Sequence, residues 1–198
     1  VYTAPINADG TLGAWTTAPA LASGLGWGEI VSAKNRVYLI GGLRSSLVTN
    51  GTYTATINAD GTLGSWAEGP TIPGDVLLGR ALVTKNRVYL LGGQYQQAYR
   101  STFYTAPINA DGTLGTWTSG SGLPGVLSNS AVAITSSRAY MLGGDVGSNS
   151  SYSSVIYSAP FSGGLNDYSS IYSGSYQAVD PNNFRLPDTT TTDPSGLY

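Results

Sequence analysis

One stretch of sequence is written three times in this chain at a step of 51 residues, and this repeat limits the possible folds more than any other feature. The copies are YTAPINADGTLGAW at 2–15, YTATINADGTLGSW at 53–66 and YTAPINADGTLGTW at 104–117. A second motif keeps the same step, as NRVYLIGG at 35–42, NRVYLLGG at 86–93 and SRAYMLGG at 137–144. A period near fifty residues with a Gly-Gly pair, a tyrosine and a tryptophan indicates a repeated four-stranded β unit. Such units bury their faces by stacking on their neighbours.

Local patterns divide each repeat into four predicted strands. Short apolar runs at 28–33, 79–84 and 130–135 predict the first strand, and RVYLL at 87–91 predicts the second. Lys85 and Asn86 form the tight turn between these two strands in one copy. After a variable polar loop, 103–108 predicts the third strand, an Asp-Gly turn follows, and 114–118 predicts the fourth. No window has helical spacing of apolar residues, so the chain is predicted to be all-β.

The repeats predict the organisation of the chain. Units 27–67 and 78–118 are complete, whereas 1–17 and 128–160 supply only part of a unit. Residues 161–198 form a non-repeat tail rich in Ser, Tyr and Thr, and the PDTTTTDPSG stretch at 187–196 is predicted to be extended. Because the chain begins at Val1 within a repeat, we expect it to belong to a longer polypeptide.

The composition argues against several classes of function. Charged residues make up 10% of the chain, compared with about 25% in ordinary soluble domains. The net charge is −2 and no basic stripe is present, which argues against nucleic acid as a partner. The absence of cysteine and histidine excludes thiolate and imidazole metal ligands and the Ser-His-Asp triad. We expect no cofactor, no metal and no membrane insertion, and a location outside the cell or on a virion surface.

The order of strand, turn, RVYLIGG, polar loop, Tyr, Asp-Gly turn and Trp resembles the kelch family of β-propellers over residues 1–160. The resemblance implies four-stranded antiparallel blades around an axis, with the first strand innermost. Closed rings have about 4–8 blades, so the remaining blades would come from further sequence, the preferred alternative, or from neighbouring subunits. The residues that recur with the scaffold and are predicted to be structural are Trp15, Trp66, Trp117, Arg36, Arg87, Arg138, Gly41, Gly42, Gly92, Gly93, Gly143 and Gly144.

A second resemblance concerns the end of the chain. The segment NFRLPD at 183–188, the Thr-rich run after it and PSGLY at 194–198 resemble the C-terminal tails of phage tail-fibre and related virion proteins. This resemblance implies assembly into a particle with other subunits.

Each repeated polar or aromatic position has a functional and a structural interpretation. The NADG segments are similar to the start of a calcium loop, but a lone Asp without a following Glu favours a hairpin turn. The repeated arginines could form an anion-binding ring, although donation to backbone carbonyls between units is the favoured interpretation. The repeated tryptophans could stack on sugars, but their fixed place in the repeat favours packing between units.

Three aromatic residues stand outside the repeat pattern and are the candidate binding residues. Trp27 is replaced by Leu78 and Asn129 in the next copies, and both private packing and ligand recognition remain open for it. Tyr95 and Tyr99 lie in a variable loop, where surface recognition is favoured.

No catalytic residue is predicted. Glycoside chemistry needs two facing carboxylates, and Glu29, Asp75 and Asp145 lie in segments that have no reason to converge. Copper chemistry, found on some kelch folds, would need histidine and a Tyr-Cys pair.

These observations favour a structural and recognition module of an extracellular particle, most of all a phage tail fibre, baseplate or decoration protein. It would bind a host-surface glycan or protein through its variable loops, as part of an oligomeric assembly. Two alternatives remain open. One is a glycan-active hydrolase or lyase whose catalytic residues lie outside this segment, and the other is a secreted bacterial adhesin or surface filament subunit.

Overall fold

The computed structural model describes residues 1–96, 98–120, 122–135, 138–147, 151–160 and 177–179, the last as backbone only. Within these ranges the protein is built from strands and turns without helix, as predicted, so no described segment is a helix that could cross a membrane. The strands are β1 Tyr2–Thr3, β2 Thr16–Thr17, β3 Glu29–Ala33, β4 Arg36–Ile40, β5 Leu43–Arg44, β6 Leu47–Val48, β7 Thr52–Thr56, β8 Ala67–Glu68, β9 Arg80–Val83, β10 Arg87–Leu91, β11 Gln94–Tyr95, β12 Ala98–Tyr99, β13 Phe103–Pro107, β14 Thr118–Ser119, β15 Ala131–Ile134, β16 Arg138–Leu142, β17 Asp145–Gly147, β18 Ser151–Tyr152, β19 Ile156–Pro160 and β20 Gln177–Val179.

Three four-stranded antiparallel sheets follow one another along the chain. Their strand orders are β3-β4-β7-β8, β9-β10-β13-β14 and β15-β16-β19-β20, each in the order of the sequence. We call them sheets 1, 2 and 3. The pair β1-β2 repeats the pairing of β7 with β8 one period earlier and stands as a separate hairpin.

The fourth strand of sheet 3 comes from a segment that the sequence did not mark as repeat. Unit 128–160 was predicted to be incomplete, and residues 161–198 were predicted to form a non-repeat tail. The structure pairs β20 with β19, with Val179 opposite Ile156 and Gln177 opposite Ser158. The rest of that predicted tail, including the segments 183–188 and 187–196, lies outside the described residues.

The fourth strand is shorter than its sequence pattern predicts. The prediction placed it at 114–118, but β14 contains only Thr118 and Ser119, and Trp117 precedes it. Leu114 pairs with Ile108 as an isolated bridge, whereas Thr118 pairs with Thr105, so the register slips by one residue between the two pairs. This slip is a β-bulge, which bends the strand and breaks regular pairing. It recurs in the other two copies.

A Gly-Gly pair ends the second strand of each sheet, and the first two pairs contact the segment that leads into the following sheet. All six glycines have positive φ angles, between 60° and 100°, and residues other than glycine rarely adopt this backbone conformation. The amide of Gly42 donates to the Val76 carbonyl at 3.2 Å, and the amide of Gly93 donates to the Leu127 carbonyl at 2.7 Å. The pairs therefore let each second strand approach the backbone that leads into the next sheet.

The hydrophobic core lies between the sheets. Tyr38 and Ile40 of sheet 1 share one buried cluster with Ile108, Leu114 and Trp117 of the second unit. A second buried cluster joins sheets 2 and 3 and consists of Leu82, Tyr89, Phe103, Leu123, Leu127 and Met141. The first strands β3, β9 and β15 also lie side by side. Each sheet thus buries a face only by packing on its neighbour, as expected for repeat units.

Candidate functional site

Sequence variation and sequence constancy lie at opposite ends of the sheets. The turn after each first strand and the NADG turns, which hardly vary, occupy one end, which we call the constant end. The other end holds the start of each first strand and a short hairpin after each Gly-Gly pair. The bridges Gly26–Leu43, Leu77–Gln94 and Ser128–Asp145 join these two segments in every unit. We call this end the variable edge; its described residues are 26–29, 43–49, 77–80, 94–96, 98–100, 128–131, 145–147 and 151–152.

The constant end is held by polar contacts from one unit to the next. The Lys34 ammonium donates to the Ile108 and Asn109 carbonyls, both at 3.1 Å. The Tyr38 hydroxyl donates to the Gly112 carbonyl at 2.6 Å, and burial raises the pKa of this phenol. Backbone carbonyls of the segment 108–112 are therefore the docking points for sheet 1.

The aspartates of the NADG turns stabilise the turns themselves. In each copy an Asp oxygen accepts hydrogen bonds from the backbone amide and the hydroxyl of the Thr two residues later, as Asp60 does from Thr62 at 3.0 and 2.6 Å. These bonds lower the pKa of the Asp9, Asp60 and Asp111 carboxyls. Among the described residues, no group of three or more acidic side chains could hold a metal ion. The geometry is that of an Asx turn.

The three repeated arginines make separate contacts. Arg36 bridges two units by donating from Nε to the Asp111 carbonyl at 3.2 Å. Arg87 and Arg138 instead donate to hydroxyls within their own sheets, Thr105 Oγ1 at 3.3 Å and Ser158 Oγ at 2.9 Å. Among the described contacts, the predicted donation to a backbone carbonyl between units is therefore seen at Arg36.

The three repeated tryptophans differ in burial although their sequences match. Trp117 is 3% exposed and packs in the cluster between sheets 1 and 2. Trp66 is half-buried, and its Nε1 donates to the Pro19 carbonyl at 3.1 Å. Trp15 was expected to pack between units but is 65% exposed. The reason is that sheet 1 covers the face of Trp117, whereas no described sheet covers the equivalent face of Trp15.

A polar ladder crosses the three sheets at the variable edge. The equivalent positions Glu29 and Arg80 form an ion pair, Arg80 Nη1 to Glu29 Oε1, at 2.6 Å. Arg80 Nη2 donates to Asn129 Oδ1 at 2.6 Å, and Arg80 Nε donates to the Ser130 carbonyl. The second carboxylate oxygen of Glu29 accepts from the Ala81 amide at 3.3 Å. One guanidinium therefore links all three units.

Trp27 precedes Glu29 of this ladder by two residues and has an unusual backbone conformation. Trp27, Leu78 and Asn129 are equivalent, and their φ angles are 54°, 55° and 52°. This left-handed conformation is uncommon for residues other than glycine. Trp27 is 65% exposed, Leu78 is half-buried and Asn129 is exposed. The repeat therefore keeps the backbone constant here, while the side chain and its exposure change from copy to copy.

Tyr95 and Tyr99 lie on the second short hairpin, in β11 and β12, and both are half-buried. The Tyr95 ring lies 5.9 Å from the Arg100 guanidinium, and its hydroxyl accepts from Gln96 Nε2 at 3.0 Å. Tyr99 pairs with Gln94 across the hairpin. These contacts fix the ring of Tyr95, while both residues still present part of their surface to solvent.

Sequence reasoning missed other residues of the variable edge. Leu47 and Tyr152 are each 73% exposed on the first and third short hairpins. Arg44 stacks on the Tyr53 ring at 5.0 Å and donates to its hydroxyl. The ladder could have been found from the sequence, because Glu29 and Arg80 are exactly one period apart and carry opposite charges on adjacent first strands.

The carboxylates considered for catalysis have other surroundings. Both oxygens of Glu29 are bonded, to Arg80 and to the Ala81 amide. Asp145 begins β17, and its backbone pairs with Ser128. Asp75 lies in the connection between sheets 1 and 2. Their described contacts include no carboxylate pair.

Comparison with known proteins gives a likeness of fold. A solved structure titled "Structure of YjhT" superposes with a TM-score of 0.64 at 11% sequence identity, over 86% of this chain and 56% of that chain. This chain therefore spans little more than half the length of its structural neighbour. No family model and no curated protein matches the sequence. The likeness shows a shared all-β fold at low sequence identity.

Proposed function

We propose that this chain is a kelch-like β-propeller segment that serves as a structural and recognition module of an extracellular particle, above all a phage virion. The module binds a host-surface glycan or protein through the variable edge and assembles with other particle subunits. The observation that carries the proposal is the separation of the constant end, which docks unit on unit, from the variable edge, which changes in every copy. Loops that vary on a constant scaffold are the usual sites of recognition.

Several features support kelch-like blades. The three sheets are four-stranded antiparallel meanders, and their first strands lie side by side. Gly42 and Gly93, in the pairs that end the second strands of sheets 1 and 2, donate their amides to backbone carbonyls of the segment that leads into the next sheet. In a propeller the first strands surround the axis and adjacent blades pack face to face. The neighbouring first strands and the buried clusters between successive sheets support the same arrangement here.

The location on a particle rests on composition and on the end of the sequence. A charged fraction of 10% with 27 glycines and 14 tyrosines suits an exposed surface scaffold. The resemblance of residues 183–198 to phage virion tails points to assembly in a particle. The proposal assigns no catalytic residue to this chain.

The test is adsorption of the folded, fluorescently labelled chain to a panel of bacterial cells, with and without protease treatment of the cells. Saturable binding is expected to at least one strain. A double variant of the variable edge, Leu47→Ser with Tyr152→Ser, should reduce it. The matched control, Ile6→Ser with Leu12→Ser, changes equally apolar and exposed residues that flank a constant turn and should leave binding unchanged. Absence of binding across a broad panel, or equal loss in both variants, would overturn the proposal.

A further inference from the structure

We propose that Ile6, Leu12 and Trp15, together with the turn at 7–10, form a docking surface for a second copy of this chain. We call it the Trp15 surface. It packs on the outer face of sheet 3 of the second copy, which is the face turned away from sheet 2. This inference rests on the assembly part of the proposed function and names the partner and the contacts that join two subunits.

The Trp15 surface has a covered counterpart within the same chain. Residues 2–15 and 104–117 differ at one position. Their backbones also agree, because both contain the same isolated bridge between the Ile and the Leu, and Gly10 and Gly112 have φ angles of 82° and 81°. The segment therefore has the same conformation with or without a covering sheet. A surface that is already ordered in this way loses little conformational freedom when it binds.

The apolar side chains of the two segments differ only in what covers them. Ile108 and Leu114 are 5% and 9% exposed, and they share a buried cluster with Tyr38 of sheet 1. Their counterparts Ile6 and Leu12 are 77% and 59% exposed. The partner that buries this set of side chains in the chain itself is thus the outer face of a four-stranded sheet of the same repeat.

The three tryptophans show that burial follows the amount of sheet beside them. Trp117 lies against the complete sheet 1 and is 3% exposed. Trp66 is half-buried, and it bonds to Pro19, which follows the two-stranded hairpin β1-β2. Trp15 has no described sheet beside it and is 65% exposed. This gradation indicates that a complete sheet would bury Trp15 as sheet 1 buries Trp117.

The polar part of the contact is also present on the Trp15 surface. Arg36 and Tyr38 donate to carbonyls of the last two residues of the turn at 109–112, at 3.2 and 2.6 Å. In the turn at 7–10 the equivalent two carbonyls accept no hydrogen bond from the described residues, and the whole turn is exposed. These carbonyls can therefore accept from a partner that carries the same donors.

The outer face of sheet 3 is the matching surface. Sheets 1 and 2 each have a following unit packed on this face, whereas no further described sheet packs on sheet 3. Leu142 is half-buried, but its counterpart Ile40 in sheet 1 is 1% exposed. Ala133 is exposed, but its counterpart Val31 is half-buried. Apolar positions that a following unit covers in sheet 1 are thus more open in sheet 3.

Arg138 supplies a donor at the same place as Arg36. It donates from Nη2 to Ser158 Oγ at 2.9 Å, and its Nε, the atom that Arg36 uses, has no partner among the described residues. Tyr140, at the place of Tyr38, is 6% exposed and keeps its present contacts. The polar contact between two copies therefore rests on Arg138, and the apolar contact on the residues around Tyr140.

The two surfaces belong to different ends of the chain, so the contact is heterologous. Such a contact continues from copy to copy until a ring closes or a filament forms. The apolar contact involves few large side chains, which suits a weak interface with a Kd in the range of about 1–100 μM. Cell adsorption and unfolding measured well below this concentration therefore report on the single chain.

The experiment is sedimentation velocity of the whole chain over concentrations on both sides of that Kd. The average mass of the unaltered chain should rise with concentration. The Trp15-surface variant, Ile6→Ser with Trp15→Ser, and the outer-face variant, Ala133→Asp, should each stay monomeric. An equimolar mixture of the two variants should form a pair and nothing larger, because only one intact surface of each kind remains. Arg138→Ala should weaken association without abolishing it.

The matched control is Leu47→Ser with Tyr152→Ser, which changes equally exposed apolar residues at the variable edge. It should associate as the unaltered chain does. Circular dichroism confirms that every variant is folded before its mass is measured.

Three results would overturn the inference. One is a chain that stays monomeric at every concentration. Another is association of the outer-face variant by itself, which would show that two Trp15 surfaces pack on each other. The third is a mixture of the two variants that stays monomeric although the unaltered chain associates. Loss of association with intact adsorption to cells counts against this contact alone, whereas absence of adsorption from an associating chain counts against the recognition function alone.

Discussion

A methyl group on Gly120 would overlap the ring of Phe103, which lies directly against its Cα. The equivalent pairs in the earlier copies are Thr52 with Gly69 and Val1 with Ala18, so the larger partner stands opposite the smaller one. In each pair the later residue donates its amide to the carbonyl of the earlier one, at 2.8–3.0 Å. The third and fourth strands of each unit therefore match side-chain sizes at a fixed backbone contact.

Gly120→Ala is expected to destabilise the chain by about 1–3 kcal/mol, because the added methyl overpacks a buried ring. The free energy of unfolding from urea titration measures this cost. The control is Gly64→Ala, since a Cβ there meets only ordinary contacts with Thr56 at 3.7 Å. When Phe103 has first been changed to Thr, the Gly120→Ala substitution should cost less, because the ring that the added methyl overlaps is no longer there. Equal costs at Gly120 and Gly64 would contradict this account.

The Gly-Gly pairs allow the contact between units to be measured apart from backbone strain. Gly92 and Gly143 have nearly the same φ, 61° and 60°. A Cβ on Gly92 would overlap the Leu127 carbonyl oxygen, whereas the nearest described atom to a Cβ on Gly143 is the Ser153 carbonyl oxygen at 3.5 Å. Gly92→Ala should therefore lower the melting temperature by several degrees more than Gly143→Ala. Matching losses would mean that φ alone decides the cost.

The tryptophan series should show graded effects on stability. Trp117→Ala is expected to cost about 3–5 kcal/mol, since it empties a buried site. Trp66→Ala should cost less, because Trp66 is half-buried and holds one hydrogen bond to Pro19. Trp15→Ala should change the free energy of unfolding by less than about 0.5 kcal/mol. Thermal or urea unfolding of the three variants provides the order, and any other order would argue against the burial described for them.

The Asp turns predict a loss of stability in acid. Hydrogen bonds from Thr62 lower the pKa of the Asp60 carboxyl in the folded chain below its ordinary value, and Asp9 behaves alike. The unfolded state then binds more protons than the folded state as the pH falls. The stabilisation is complete above the ordinary carboxyl pKa of about 3.9 and is lost as the pH falls through the lower folded pKa. Carboxyl chemical shifts followed by NMR titration should show the lowered pKa values of Asp9 and Asp60 in the folded chain.

Thr62→Val tests the cause of that shift, because it removes the hydroxyl donor to Asp60 and keeps a similar shape. The pKa of Asp60 should rise toward its ordinary value, while that of Asp9, which bonds Thr11, stays where it is. A parallel rise at both carboxyls, or no change at Asp60, would show that the hydroxyl is not responsible.

The sequence predicted correctly those strands that are marked by their own residues and by the turn residues directly beside them. The RVYLL segment runs from Arg87 to Leu91 as expected, because a short apolar run with flanking Asn and Gly residues defines both of its ends. The fourth strand was predicted wrongly, because the bulge before Thr118 depends on pairing with the third strand. The short hairpins at the variable edge, such as β5 with β6, escaped prediction because strands of two residues are too short to carry a periodic signal.

The candidate site was predictable only in part. Trp27 stood out because it departs from the repeat, and the structure places it on the variable edge. The bonds of Arg80 to Glu29 and Asn129 depend on which first strands are neighbours, and that arrangement is a tertiary property. The unequal burial of Trp15 and Trp117 was equally invisible, since identical sequences differ there only in what covers them.

The contacts of Lys34 and Tyr38 with the turn at 109–112 carry a consequence for how such a chain can diversify. Because these particular contacts lie at the end remote from the short hairpins, a hairpin can be lengthened, shortened or exchanged without altering them. Such a chain can therefore diversify one short hairpin at a time while this contact between neighbouring units keeps its form.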